Sequence, residues 1–123
     1  MKLLDNQLDK PSLSRFGEEA CQLFIARDFS RLADRFGYAL AYNQTPASAI
    51  EADFERCLSG RSSSIASIES VTARNFKPND TGLVSVIECV LLFDKSVRVL
   101  IDLIVAKNGE AHYLYLEDIN AVA

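Results

Sequence analysis

The chain has 123 residues, 49% of them hydrophobic and 24% charged, and its formal net charge is −4. This length suits a single domain over residues 1–123, and the acidic balance argues against a nucleic-acid binder, which needs a basic face to displace counterions. No apolar run approaches the ~20 residues of a membrane span, and the N-terminus lacks the long apolar region of a secretory signal, so we expect a cytoplasmic protein without membrane contact.

The first half of the chain has helical periodicity. Residues 1–11 are expected to be a flexible lead-in, and residues 12–60 to be helical. Apolar side chains at helical spacing predict three helices, over residues 13–27, 29–43 and 46–58. A side chain suited to N-capping precedes each of them, namely Ser12, Asp28 and Thr45. Gly37 falls inside the second predicted helix, and a loop is expected over residues 60–64.

After the loop the apolar period changes to two, which is typical of strands. Residues 65–120 are predicted to form an antiparallel meander with four strands, over residues 65–76, 83–93, 97–106 and 111–119. Asn108-Gly109 is a strong hairpin signal and predicts a type I′ turn. The fold class expected is therefore α+β, with three N-terminal helices packed on one face of a curved four-stranded sheet.

The expected register divides the sheet into two faces. A turn at residues 94–96 places Glu88 opposite Asp102, and the hairpin places Asp102 opposite Tyr115. One face is aliphatic and should hold the helices: Ile87, Cys89, Leu91, Val99, Ile101, Leu103, Val105, Leu114 and Leu116. The other face mixes apolar, aromatic and charged groups, as partner surfaces do. Its candidate partner-binding residues are Glu88, Arg98, Asp102, Tyr113, Tyr115 and Glu117.

Chemistry-bearing motifs are sparse. The row Glu88, Asp102, Tyr115 is the one constellation that could act in acid–base catalysis, because two buried carboxylates cannot both ionise at low cost. Exposure of both carboxylates, or pairing of one with Arg98, would remove that chemistry. One histidine and three separated cysteines give too few ligands for zinc, so we expect no metal and no cofactor, and the cysteines are expected in the core.

The order of the elements resembles the NTF2-like or cystatin-like α+β superfamily, in which a strongly bent sheet wraps a long helix and leaves a conical pocket. The catalytic Asp/His pair of isomerase- and dehydratase-type members has no clear counterpart here. Small acidic members of this fold also occur as bacterial immunity proteins, which bind and neutralise a toxin domain. The segment over residues 28–42 is similar to helices in such proteins.

Three functional hypotheses follow. The first is a non-catalytic protein-binding module, in its sharpest form an immunity protein that holds a basic toxin domain on the mixed face. The second is a small-molecule binder or isomerase/dehydratase-like protein, with a pocket between helices and sheet that Tyr38 and Tyr42 would line. The third is a homodimeric accessory domain that self-associates through the mixed face. The residues leave enzymatic activity open and favour a non-catalytic role, with no catalytic residue assigned.

Overall fold

The computed structural model describes residues 1–58, 66–93 and 97–122. Its helices are α1 (Lys10–Ile25), α2 (Phe29–Phe36) and α3 (Pro46–Leu58), and a 3-10 turn spans Asp5–Gln7. Its strands are β1 (Lys2–Leu3), β2 (Ala66–Asn75), β3 (Leu83–Phe93), β4 (Val97–Asn108) and β5 (Ala111–Val122). The loop predicted at residues 60–64 and the turn predicted at residues 94–96 lie outside the described residues. None of the described helices is long and apolar enough to cross a membrane.

The strands form one curled antiparallel sheet in the order β1-β5-β4-β3-β2. The predicted α+β class with three helices is confirmed. The predicted number of four strands is wrong, because the structure has a fifth strand at its N-terminus. The curled antiparallel sheet with three helices is compatible with the NTF2-like and cystatin-like folds.

The fifth strand lies within residues 1–11, which are predicted to be a flexible lead-in. Leu3 pairs with His112 of β5, and its side chain is 4% exposed. The N-terminal amine of Met1 donates to the Leu114 carbonyl at 2.8 Å, and the Leu114 amide donates to the Met1 carbonyl at 2.7 Å. Burial of one leucine and these backbone bonds hold the segment against β5.

The helix boundaries depend on local capping. Asp9, not Ser12, caps α1: its carboxylate accepts from the Ser12 amide at 3.1 Å and from the Ser12 hydroxyl at 2.7 Å. The helix therefore starts earlier than predicted, with Pro11 in its first turn, where no amide hydrogen is needed. The caps at Asp28 and Thr45 are confirmed, since each side chain accepts the amide hydrogen of the residue three positions later.

The second helix is shorter than predicted because Gly37 ends it. Gly37 has φ 69°, a left-handed conformation that favours glycine at a helix terminus, and its amide donates to the Ala33 carbonyl. Tyr38 and Tyr42 consequently lie after the helix rather than one turn apart on it.

The helices pack on the aliphatic face of the sheet. All nine residues assigned to that face from the sequence have no solvent exposure. Between helices and sheet, the ring of Phe54 lies 5.1 Å from that of Phe24 and 5.6 Å from that of Phe93, centroid to centroid. Large aromatic side chains therefore pack together around Phe54 between helices and sheet.

Candidate functional site

The face of the sheet opposite the helices, called the outer face below, is arranged in rows across the strands. The pairing of Glu88 with Asp102 between β3 and β4 is as predicted. One apolar pair lies on each side of this acidic pair: Val86 with Ile104 on one side, and Val90 with Leu100 on the other. The row that carries Glu88 and Asp102 is thus an acidic stripe between two apolar stripes.

The hairpin between β4 and β5 differs from the prediction. Asn108 pairs with Ala111, so the two central residues of the turn are Gly109 and Glu110 rather than Asn108 and Gly109. Of these two, only Gly109 has a positive φ, at 64°, which is the pattern of a type II′ turn. The register moves by two residues, and Ile104 therefore faces Tyr115. A shift of two leaves every side chain on its predicted face.

A β-bulge in β5 changes the acidic row itself. Leu103 pairs with Leu116, but Asp102 pairs with Asp118, so Glu117 is an extra residue without a partner of its own on β4. The predicted row of Glu88, Asp102 and Tyr115 is therefore wrong in its third member. Three carboxylates, those of Glu88, Asp102 and Asp118, stand side by side on β3, β4 and β5.

Two of these three carboxylates have strong partners. Glu88 Oε1 forms an ion pair with Arg74 Nε at 2.8 Å. Asp118 Oδ1 accepts from the Ile119 amide at 3.0 Å, and its Oδ2 accepts from Asn120 Nδ2 at 2.6 Å. An arginine thus compensates the charge of Glu88, and two neutral donors satisfy the oxygens of Asp118.

Asp102, in the middle of the row, is compensated less: burial and the two neighbouring carboxylates raise its pKa by more than the charge of Arg74 lowers it. Its Oδ1 atom is buried and has no hydrogen-bond donor among the residues that the structure describes. Burial raises the pKa of Asp102, and the neighbouring carboxylates of Glu88 and Asp118 raise it further. Desolvation and like charge both disfavour the ionised form, so this carboxylate is the least satisfied acceptor on the outer face.

The remaining predicted partner-binding residues surround this row. Arg98 does not reach Glu88 or Asp102: its Nε donates to both carboxylate oxygens of Glu69, at 3.0 and 2.9 Å. Burial raises the pKa of Tyr115, and Glu117 raises it further through its charge and a hydrogen bond. Tyr113, at the edge of the sheet beside β1, is 39% exposed. The outer face therefore offers polar and aromatic groups at its border.

The two pocket candidates do not come together. Tyr38 is 9% exposed, and its hydroxyl donates to Asp53 Oδ2 of α3 at 2.5 Å. Burial and the bond to Asp53 raise the pKa of Tyr38 well above its usual range. Tyr42 is 74% exposed. A cavity of about 180 Å³ lies between α3 and β5 beside Asp53 and Cys57, which is small for a drug-sized ligand.

Strict alternation along β5 does not predict the third carboxylate, because the bulge interrupts that alternation. Leu114 and Leu116 are two residues apart, but the next buried residue, Ile119, follows after three. That single odd step was the available signal for an extra residue in the strand. In the described part of the chain, no group of three His, Cys, Asp or Glu side chains has the geometry to hold a metal ion.

Comparisons with protein-family models, with curated proteins and with solved structures give no match.

Proposed function

We propose that the protein is a non-catalytic binding module whose outer face docks a basic protein partner, in the sharpest form a toxin domain that it neutralises as an immunity protein. The observation that carries this proposal is the donor-free oxygen of Asp102, which stands between Glu88 and Asp118 and is flanked by apolar stripes. Asp102 as a whole is half-buried, so a cationic side chain from outside can approach its carboxylate group even though Oδ1 itself is buried.

Charge is the first argument for a basic partner. Each carboxylate at the ends of the row already has a donor, whereas Asp102 lacks one for its buried oxygen. A guanidinium group from a partner would supply paired donors and would relieve the repulsion from Glu88 and Asp118. The net charge of −4 would also accelerate encounter with a basic protein.

The apolar stripes are the second argument. Val90 and Leu100 on one side of the acidic row are half-buried, whereas Val86 and Ile104 on the other side are buried. None of the described helices covers this face. A partner side chain bound at Asp102 would bring apolar groups over these residues and exclude water around the ion pair. An anchoring charge beside apolar contacts that exclude water is the usual anatomy of an interface hot spot.

The same electrostatics weigh against the homodimer alternative through this face. A two-fold axis near the row would place the carboxylates of one copy against those of the other, and like charges in a desolvated interface are costly. The filled space around Phe54 between helices and sheet gives little support to the small-molecule alternative. The resemblance to small acidic immunity proteins and the compatible α+β fold support a bacterial toxin domain as the partner class.

The test uses this protein to capture proteins encoded by genes beside its own, and then measures its affinity for the purified partner. The variant Asp102→Lys should weaken binding by about 100-fold or more, since one charge is removed and an opposite one is introduced at the centre. Glu18→Lys, an equal charge change on the exposed side of α1, is the matched control and should bind almost as the native protein does. A captured partner that binds Asp102→Lys and Glu18→Lys equally well would overturn the proposal. Sedimentation of the native chain at high concentration tests the homodimer separately.

A further inference from the structure

Helix α1 lies close against the sheet at Gly17. A Cβ atom at this position would lie 2.7 Å from Val71 Cγ1 and 2.8 Å from Ile87 Cγ2, so only glycine fits. The Sγ atom of Cys89, on β3, lies 3.8 Å from the Gly17 carbonyl oxygen. The close approach therefore brings the side chain of Cys89 against the backbone of the helix.

Cys21 lies one helical turn after Gly17, on the same side of α1. Because Cys89 Sγ contacts the helix at Gly17, the Cys21 and Cys89 side chains are neighbours between helix and sheet, and neither residue has any solvent exposure. The third cysteine, Cys57, is half-buried on α3 near Asp53 and Arg56, and so does not belong to this contact. Two thiols from segments distant in the sequence thus meet between helix and sheet.

We propose that Cys21 and Cys89 form a redox modification site, in which a low-molecular-weight disulfide such as glutathione disulfide oxidises the pair to a cross-link between α1 and β3. One cysteine thiolate attacks glutathione disulfide, which gives a mixed disulfide and releases one glutathione. The second cysteine thiolate then attacks the protein sulfur of the mixed disulfide and releases the second glutathione. The two protons of the protein thiols end on the two glutathione thiols.

Burial determines when this reaction proceeds. A glutathione adduct has no room between Gly17 and β3, so the first attack requires α1 to separate from the sheet. In the closed state the neighbouring Cys21 and burial raise the pKa of Cys89, which keeps its thiol protonated and unreactive. The cross-link therefore forms from transiently opened molecules and then holds the helix in its native place.

The experiment equilibrates the full-length native protein in a series of glutathione redox buffers, quenches it with acid and maps the linked peptides. The effective concentration of the Cys21 and Cys89 thiols should be at least about tenfold higher in buffer than in denaturing urea, because folding holds them together. Cys57 should remain free in the mapped peptides, and Cys57→Ser should form the same cross-link to the same extent. The oxidised protein should melt at a higher temperature than the reduced protein.

Refolding from urea in the same redox buffers exposes all three thiols to the oxidant and removes the barrier of opening. The proposal would be overturned if the effective concentration of the Cys21 and Cys89 thiols in the folded protein were no greater than their value in urea. A majority of cross-links that include Cys57 would also overturn it. The variants Cys21→Ser and Cys89→Ser should each abolish the intramolecular cross-link. If either variant does not fold, the maps of the native chain and of Cys57→Ser still decide the question.

Discussion

Asp102 and Asp118 lie directly opposite each other across β4 and β5, with Glu88 on the other side of Asp102. Three adjacent carboxylates are an unfavourable arrangement for folding alone, since like charges directly opposite each other destabilise a sheet. Partners within the described residues bind the outer two carboxylates and leave Asp102 without a donor for its buried oxygen. A local departure from what stability requires is characteristic of residues retained for function.

The first prediction concerns Asp102→Asn. Because the folded protein raises the pKa of Asp102, it binds the Asp102 proton more tightly than the unfolded chain does. The stability associated with the protonated form is fully present below the unfolded pKa of ~3.9 and is lost as the pH rises through the folded value. Asp102→Asn should therefore raise the free energy of unfolding at pH 7 by about 1 kcal/mol, a figure reduced for the partial exposure of the group.

Urea unfolding of Asp102→Asn and native protein at pH 7 and at pH 3.5 or below (~0.4 unit under the unfolded pKa) measures this effect. The stability difference should shrink towards zero at the acidic pH, where Asp102 of the unsubstituted protein is largely protonated in both the folded and the unfolded state. Asp34→Asn, an equal charge change at an exposed position of α2, should leave stability nearly unchanged at both pH values. Equal gains from the two variants would mean that only net charge matters, and an unstable Asp102→Asn would contradict the cost assigned to this carboxylate.

The second prediction concerns the N-terminal strand. Leu3 is 4% exposed and Leu4 is 64% exposed, so these two adjacent leucines differ sharply in burial. Leu3→Ala should lower the free energy of unfolding by about 2–3 kcal/mol, since it leaves a cavity beside β5. Leu4→Ala should change it by less than about 0.5 kcal/mol. Chemical denaturation of both variants measures the difference, and equal effects would show that β1 does not pack as described.

The sequence predicts those parts of the fold that a pattern of neighbouring residues determines, and fails where contact with a distant segment decides. The nine aliphatic positions of β3, β4 and β5 alternate without interruption, and all of them are buried. The pairing of Glu88 with Asp102 also follows from strand length and turn position alone. By contrast, Leu3 carries no periodic signal, because two residues are too few to show one. Its burial depends on the distant strand β5, which only the folded chain supplies.

The sequence predicts only part of the candidate site, because its third member depends on backbone features that no local pattern determines. Glu88 and Asp102 are correctly adjacent, but the third member of the row depends on a bulge at Glu117 and on a turn centred one residue later than expected. Both are choices of backbone conformation that differ little in local propensity. Packing of Ile119 into the core selects the bulge, and this packing moves Asp118 into the row in place of Tyr115.

The third prediction concerns the two tyrosines that follow α2. Tyr38→Phe removes the hydroxyl that donates to Asp53 and should lower the free energy of unfolding by about 1 kcal/mol. Tyr42→Phe is the matched control, and its 74% exposure predicts no measurable change. Because the folded protein raises the pKa of Tyr38, the advantage of the native protein over Tyr38→Phe should be present below pH ~10 and should decline as the pH rises above it. An advantage that persists unchanged at higher pH would contradict the role of this hydroxyl.

The last prediction concerns the approach of α1 to the sheet. In an exposed helix, alanine in place of glycine stabilises by about 1 kcal/mol. At Gly17 the new Cβ would meet Val71 Cγ1 at 2.7 Å and Ile87 Cγ2 at 2.8 Å, so Gly17→Ala should instead destabilise the protein by about 1–3 kcal/mol. Val71→Ala removes one of the two obstructing methyl groups. The double variant should therefore be more stable than the sum of the single changes predicts, by about 1 kcal/mol in a double-mutant cycle. Additive effects would mean that the helix moves away rather than pressing on Val71, and a stabilised Gly17→Ala would show that α1 does not approach the sheet this closely.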